Sequence, residues 1–162
     1  MAAAFWEEQG FYPHILDIEM EGDTNACALT HIELIEDIYA DKTDIQLPCA
    51  LLSGGETTVQ VHGDGEGGPN TQFMLQAAIA LDGRENIYGL ACDTDGIDGS
   101  ADNAGAIITP NTLSDAVKDG LNAEGFLAKN DSYKFFKAID NLVVTGPTYT
   151  NVNDYRVFLL LP

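Results

Sequence analysis

Positive charge is what this sequence has least of. Lys and Arg number 7 against 26 Asp and Glu in 162 residues, a formal net charge of −19 with an isoelectric point near 4.1. A chain so acidic repels phosphate backbones and anionic lipid surfaces at long range, which excludes nucleic-acid and peripheral-membrane binding as readings. The scarcity of Lys beside abundant Asp equally fits a saline habitat. Cysteine is also scarce: Cys27, Cys49 and Cys92 are odd in number, widely spaced and set in apolar stretches. That excludes a secretory disulfide framework, and they read as buried thiols of a reducing compartment. The opening MAAAFWEEQG lacks a basic n-region, so it is no ordinary signal peptide, and no apolar run approaches the roughly 20 residues of a membrane helix. A cytoplasmic protein is the expectation. Proline is limited to 6 residues and charge to 20%, while 45% of residues are hydrophobic. This is the balance of one folded domain, residues 1–162, and of neither a disordered tail nor two cores.

Local patterns supply an alternation of elements. Ala2–Gln9 reads as a helix stopped by Gly10, and 12–18 as a strand of aromatic and β-branched residues. Thr24–Ala40 reads as a helix with Ala28, Ile32, Ile35 and Tyr39 on one apolar stripe. The runs 48–53 and 57–62, separated by Gly54-Gly55 and Glu56, read as an antiparallel hairpin. Pro69 begins a helix that ends at Gly83, and 87–92 is a compact strand leading into an acidic turn cluster. Ala106–Thr109 is a short apolar segment. Helices follow from about Leu113 to Gly120, Ala123 to Ala128 and Ser132 to Ile139, with strands at 142–145 and 155–161. The alternation predicts a three-layer α/β/α sandwich, and the hairpin makes its sheet mixed.

Several motifs carry chemical suggestions of unequal weight. Gly63-Asp64-Gly65-Glu66-Gly67-Gly68 matches G-x-G-x-x-G between a strand and a helix, where backbone amides could cradle phosphate. Its two acidic residues would face the pyrophosphate and Pro69 removes a donor, so a flexible turn is the better reading. His31-Ile32-Glu33 with Pro48-Cys49 is half of a zinc deaminase signature, but Leu52 stands where the second thiolate belongs. An exposed helical His31 is the better reading. Asp93, Asp95, Asp98 and Asp102 could take Mg²⁺ or Ca²⁺, yet the spacing is not that of an EF-hand. A solvated turn and a functional loop at a strand end are equally compatible with that cluster. Ser53 has hydroxyl neighbours but no G-x-S-x-G elbow, and neither His14 nor His62 can be paired with it from the sequence. Lys129, Lys134 and Lys137 bracket Asn130-Asp131-Ser132 and read as a solvated face.

Taken in order, Ser53-Gly54-Gly55-Glu56-Thr57-Thr58-Val59, the Gly63–Asn70 loop, Thr94-Asp95-Gly96-Ile97-Asp98-Gly99, Asn130-Asp131-Ser132-Tyr133 with Phe135-Phe136, and Val144-Thr145-Gly146-Pro147-Thr148 followed by Thr150-Asn151-Val152-Asn153-Asp154 resemble the MOFRL domain. That domain is the C-terminal part of the glycerate 2-kinase family, often labelled hydroxypyruvate reductase, and Met20-Glu21-Gly22 resembles the stretch just upstream of it. The resemblance implies ATP- and Mg²⁺-dependent phosphoryl transfer to glycerate, in a cleft between an N-terminal Rossmann-like domain and this one. Within it, the family pattern G-G-R-N-Q-E stands as Gly67-Gly68-Pro69-Asn70-Thr71-Gln72, and Asp93 and Tyr149 occupy positions where the family has glycine.

Four segments at strand ends are therefore the candidate ligand site: Ser53, Gly54, Gly55, Glu56 and Thr57; Gly65, Gly67, Gly68 and Asn70; Thr94, Asp95 and Gly96; Thr148, Asn151, Asn153 and Asp154. Glu56, Asp95 and Asp98 are the candidate ligands of a divalent ion that would offset their charge and admit a small anion. Because phosphoryl transfer needs cations and this stretch lacks the family's N-terminal domain and the arginine at Pro69, no glycerate kinase activity is expected of the chain alone. It then reads as a small-anion or nucleotide-binding module, or as a subunit that completes a separately encoded N-terminal kinase domain. A homo-oligomerising module without a ligand site is the alternative.

Overall fold

The computed structural model describes residues 1–162. Its elements run α1 (Ala2–Glu8), β1 (Tyr12–Asp23), α2 (Thr24–Tyr39), β2 (Cys49–Thr58), α3 (Pro69–Leu81), β3 (Ile87–Asp93), β4 (Gly105–Ile108), α4 (Thr112–Lys118), α5 (Ala123–Ala128), α6 (Ser132–Ala138), β5 (Leu142–Val143) and β6 (Asp154–Leu160). The six strands form one mixed sheet in the order β1-β2-β6-β3-β4-β5. Only β1 and β2 are parallel, as the intervening helix α2 requires, and every other neighbour is antiparallel.

The sheet is mixed for a different reason from the one the spacing suggests. Residues 48–62 form no hairpin: Cys49–Thr58 is one continuous strand, and 59–68 carries no strand. Gly54 and Gly55 lie inside that strand, where they permit close approach rather than a turn. A Cβ on Gly55, whose φ is +105°, would collide with the backbone of Met20. The contact sits where β1 slips register against β2, between Ile15 and Asp17 and again before Met20. The short apolar segment beginning at Ala106 is a strand, β4, that pairs with β3 and with the two-residue β5.

Alternation assigns each sheet face. Cys49 and Leu51 of β2 and Phe158 and Leu160 of β6 point into the main core, whereas Ala50, Leu52 and Val157 point the other way. Helix α3 lies over the main face and is buried from Asn70 to Leu75 and again at Ala77, Ala78 and Leu81. Ile32, Ile35 and Ile38 of α2 and Phe135 and Phe136 of α6 close the same core. Each fully buried side chain of this size contributes about 1.5–3 kcal/mol. The opposite face is covered only by the seven-residue α1, through Ala3 and Trp6, the latter donating to the Tyr155 hydroxyl at 2.7 Å. Helices thus flank both faces of the sheet, one layer being far thinner than the other. No helix is long and apolar enough to cross a membrane. Cys27 and Cys49 are buried and Cys92 half-buried, all three as free thiols, and burial pushes Cys49 and Cys92 up to about 11.

Candidate functional site

The pairing pattern brings the four candidate segments to one edge of the sheet. Gly55 lies opposite Asp154, which in turn lies opposite Asp93, so the ends of β2 and β3 and the start of β6 share that edge. Side-chain and backbone bonds then stitch the loops together. The Thr94 amide donates to the Asn153 carbonyl at 3.2 Å, the Val152 amide to Thr94 Oγ1 at 2.9 Å, and the Thr148 amide to the Asp95 carbonyl at 2.9 Å. Asn70 Nδ2 donates to Asp154 Oδ1 at 2.7 Å and to Asp98 Oδ1 at 3.3 Å. Thr94, Asp95 and Gly54 are half-buried, while Glu56, Thr148, Asn151 and Asn153 are exposed at the rim.

The glycine-rich segment is no amide cradle. The His62 and Gly63 amides donate to Asn130 Oδ1 at 2.7 and 3.1 Å, Gly65 to the Lys129 carbonyl at 3.0 Å, Glu66 to Asp131 Oδ1 at 2.8 Å, and Gly68 to Thr71 Oγ1 at 3.1 Å. The Asn130-Asp131-Ser132 turn therefore consumes donors that a phosphate would need. Gly65, Gly67 and Gly68 are small because Lys129, Ser132 and Asp98 lie against them.

Nor is the N-terminus of α3 open to an anion, because Asp98 fills it. Its Oδ1 accepts the Asn70 amide at 2.9 Å, and its Oδ2 accepts the Thr71 amide at 2.8 Å and Thr71 Oγ1 at 2.9 Å. The carboxylate is fully buried. Burial raises its pKa, and these three donated hydrogen bonds together with the one from Asn70 Nδ2 pull it back. Asp23 likewise caps α2 through the Ala26 amide at 2.9 Å. Asp98 is thus a helix cap rather than a metal ligand, a correction to the expected cation site. Glu56, Asp95 and Asp98 do not converge, and no group of three or more His, Cys, Asp or Glu side chains is placed to hold a metal ion.

Two residues beneath this edge carry no sequence motif. Arg156 has no solvent exposure, pairs with Asp154, donates from Nη2 to Thr57 Oγ1 and from Nη1 to the Gly54 carbonyl at 3.3 Å each, and lies over the Phe73 ring at 5.2 Å. Burial works against both charges of the pair, and each partner offsets that for the other. Thr24 Oγ1 donates to Thr57 Oγ1 at 3.1 Å, tying the start of α2 into the same network.

His31 is buried, not exposed on its helix. Its Nδ1 lies 2.8 Å from the Cys27 carbonyl, which can only accept, so Nδ1 carries the proton. Nε2 must then accept the Ser53 hydroxyl, 2.8 Å away. The spacing did not reveal this Ser–His pair. Burial holds the imidazole neutral, its pKa lowered to about 4. Ser53 is itself buried, and the ring packs edge-on against Phe73 at 5.0 Å. The pair anchors the middle of β2 against α2.

Comparison with known proteins reaches the same family as the motifs. The MOFRL family model matches residues 49–154. An Agrobacterium vitis protein provisionally named hydroxypyruvate reductase is 42% identical over 161 residues, covering 98% of this chain and 42% of that protein. The D-glycerate 2-kinase of Thermotoga maritima is 34% identical over 160 residues, covering 99% of this chain and 38% of the kinase. A crystal structure of glycerate kinase from the same organism superposes with a TM-score of 0.94, covering 99% of this chain and 39% of the other. The chain therefore spans about two fifths of the length of these relatives.

Proposed function

The chain belongs to the MOFRL family, and from that premise we propose that it serves as one module of a glycerate 2-kinase. In this reading it supplies the acidic, hydroxyl-rich wall of an ATP-dependent phosphoryl-transfer site and does not turn over glycerate by itself. One observation carries the proposal. Arg156 is the only cationic side chain hydrogen bonded to Ser53–Thr57, Thr94–Asp98 or Thr148–Asp154, and Asp154 already neutralises it; at the fourth, glycine-rich segment Lys134 lies 3.9 Å from Glu66. Lys42, Arg84 and Lys118 pair with Asp37, Glu36 and Asp115 on helices α2 and α4. Lys134 pairs with Asp131 and Lys137 donates to the Tyr133 hydroxyl.

Phosphoryl transfer requires cations around the equatorial oxygens, so the charge must come from outside these loops. The Glu56, Asp95 and Asp98 set does not fit a Mg²⁺ cage, and Mg²⁺ bound to ATP would be held chiefly by the phosphates. What the module itself offers is hydrogen bonding: the rim hydroxyls and amides of Thr94, Thr148, Asn151 and Asn153 suit a hydroxy acid or a ribose. Homo-oligomerisation without a ligand is the alternative, favoured by the apolar residues Tyr88 and Ile107 that stay exposed on the thinly covered face.

A coupled ADP-release assay with glycerate, ATP and Mg²⁺ tests the reading on the 162-residue chain alone. Turnover below roughly 1 per second, the low end of ordinary enzyme rates, is expected, and faster turnover refutes it.

A further inference from the structure

Between β5 at the margin of the sheet and β6 in its interior the chain crosses the ends of β4 and β3 as a strap, residues 144–153, that carries neither helix nor strand. Every residue of the strap except Gly146 is exposed, so burial does little to hold it down. One turn holds it instead. The hydrogen bonds that leave the strap end on Thr94 and Asp95. The Thr148 amide donates to the Asp95 carbonyl at 2.9 Å, and Thr148 Oγ1 to the Thr94 carbonyl at 2.5 Å. The Val152 amide donates to Thr94 Oγ1 at 2.9 Å, while the Thr94 amide and Oγ1 donate to the Asn153 carbonyl at 3.2 and 2.8 Å. At the next residue, Gly96, the strap lies so close that a Cβ would sit 2.1 Å from the Gly146 carbonyl oxygen.

Three strap residues are left-handed: Gly146 at φ 68°, Tyr149 at 60° and Asn153 at 63°. Gly and Asn tolerate that conformation, which suits Gly146 and Asn153 to be pivots. For Tyr149 it is strain, and with 97% of the residue in solvent no packing of its ring offsets it. Just outside the strap the chain is fixed, because Val143 pairs with Gly105 and the buried Asp154 is tied to Asn70 and Arg156.

We propose that residues 144–153 are a lid latched by Thr94, which opens as one unit about Gly146 and Asn153 and uncovers the sheet edge beside Asp154. Closed, the lid occupies the amide, hydroxyl and carbonyl of Thr94 and the carbonyl of Asp95. Open, it leaves those groups to a ligand, which then favours the open state by its preference for it. The inference goes beyond the kinase reading, since the Thr94 and Thr148 groups offered there are bonded to each other until the lid lifts.

Amide hydrogen exchange resolved by NMR, on the 162-residue chain in urea below its unfolding transition, tests the lid. The Thr148 and Val152 amides should show equal protection with little urea dependence, whereas Phe158 in the central strand β6 should exchange far more slowly. Thr94→Val keeps the branched shape and removes the hydroxyl. Exchange should then rise roughly tenfold at Val152, which loses its acceptor, and equally at Thr148, whose Asp95 acceptor is untouched. Thr148→Val, at an exposed position, removes the bond to the Thr94 carbonyl and should speed Val152 by a similar factor. Thr30→Ala, which removes an exposed hydroxyl bonded to the Ala26 carbonyl on α2, should change neither amide. Acceleration confined to the amide that lost its partner overturns the lid. So does exchange of Thr148 and Val152 at the rate of Phe158, or at that of an unprotected amide. No ATP or glycerate enters these measurements, so the lid and the kinase reading can fail independently.

Discussion

Protonation of His31 is the perturbation most directly computable from the structure. The imidazole is neutral and buried, with Nδ1–H committed to the Cys27 carbonyl and Nε2 to the Ser53 hydroxyl. A second ring proton, on Nε2, would turn the Ser53 hydroxyl from donor to acceptor and place a full charge in a buried site beside Arg156. The folded pKa of about 4 lies below the unfolded value of 6.5, so the unfolded chain binds the proton first as pH falls. Stability is therefore fully present above pH 6.5 and declines as pH drops toward 4. At about 1.4 kcal/mol per pH unit, the loss reaches about 3 kcal/mol across that window. Asp98 and Asp154 act in the opposite direction, because burial raises their folded pKa values and the folded state then takes up protons first. The His31 contribution must consequently be read as a difference. Urea unfolding followed by circular dichroism at pH 7.5, 6.5, 5.5 and 4.5 is to be compared between the native chain and His31→Gln. The native chain should lose about 2.5 kcal/mol more than the variant over this range. Parallel stability profiles for the two proteins would refute the buried, neutral Ser–His pair.

Other expectations concern the network around it. Asp98→Ala strips the cap from α3 and leaves the Asn70 and Thr71 amides buried without an acceptor, which should cost about 2–3 kcal/mol in denaturant unfolding; an unchanged midpoint would contradict the cap. Arg156→Met leaves Asp154 as an uncompensated buried charge and should cost about 3–5 kcal/mol, whereas Arg156→Met combined with Asp154→Leu should recover much of the loss. Cys49 and Cys92, with thiol pKa values near 11, should react with a disulfide reagent at pH 8 far more slowly than a free thiol does, and rapid labelling would contradict their burial. Asn70 Oδ1, Gln72 Oε1 and Arg156 Nε have no protein partner, so a high-resolution crystal structure should show ordered water at them.

Much of the architecture was legible because periodicity and punctuation agree in most elements. Pro69 opens α3, Asp82 and Gly83 end it in left-handed conformations, and α2 starts at Thr24 behind its Asp23 cap. The hairpin was misread because Gly54-Gly55 has the composition of a turn; the true requirement, close approach of the Met20 backbone, comes from a strand more than thirty residues away. His31 was misplaced although its position held the signal: it lies three residues after Ala28 and four before Ile35, on the same apolar stripe. Arg156 could have been found in the same way, since Asp154, Arg156, Phe158 and Leu160 alternate onto one face of β6. The placement of Thr94–Asp98 and Thr148–Asp154 beside the ends of β3 and β6 was legible from the strand pattern, whereas Ser53–Thr57 lies inside β2 and the Gly63–Asn70 loop does not directly follow a strand. The capping of α3 by Asp98 was not legible, because its partners lie 27 and 28 residues away and no local pattern encodes the contact.

The central claim, that this chain is a kinase module whose cations come from elsewhere, is tested most directly by exchange into a relative. The region of the Thermotoga maritima D-glycerate 2-kinase that matches this chain would be replaced by residues 1–162, and glycerate-dependent ADP release compared between the chimera and the isolated chain. The account predicts turnover by the chimera and none above roughly 1 per second by the isolated chain. A folded chimera without activity, or an isolated chain that turns over glycerate at that rate, would contradict it.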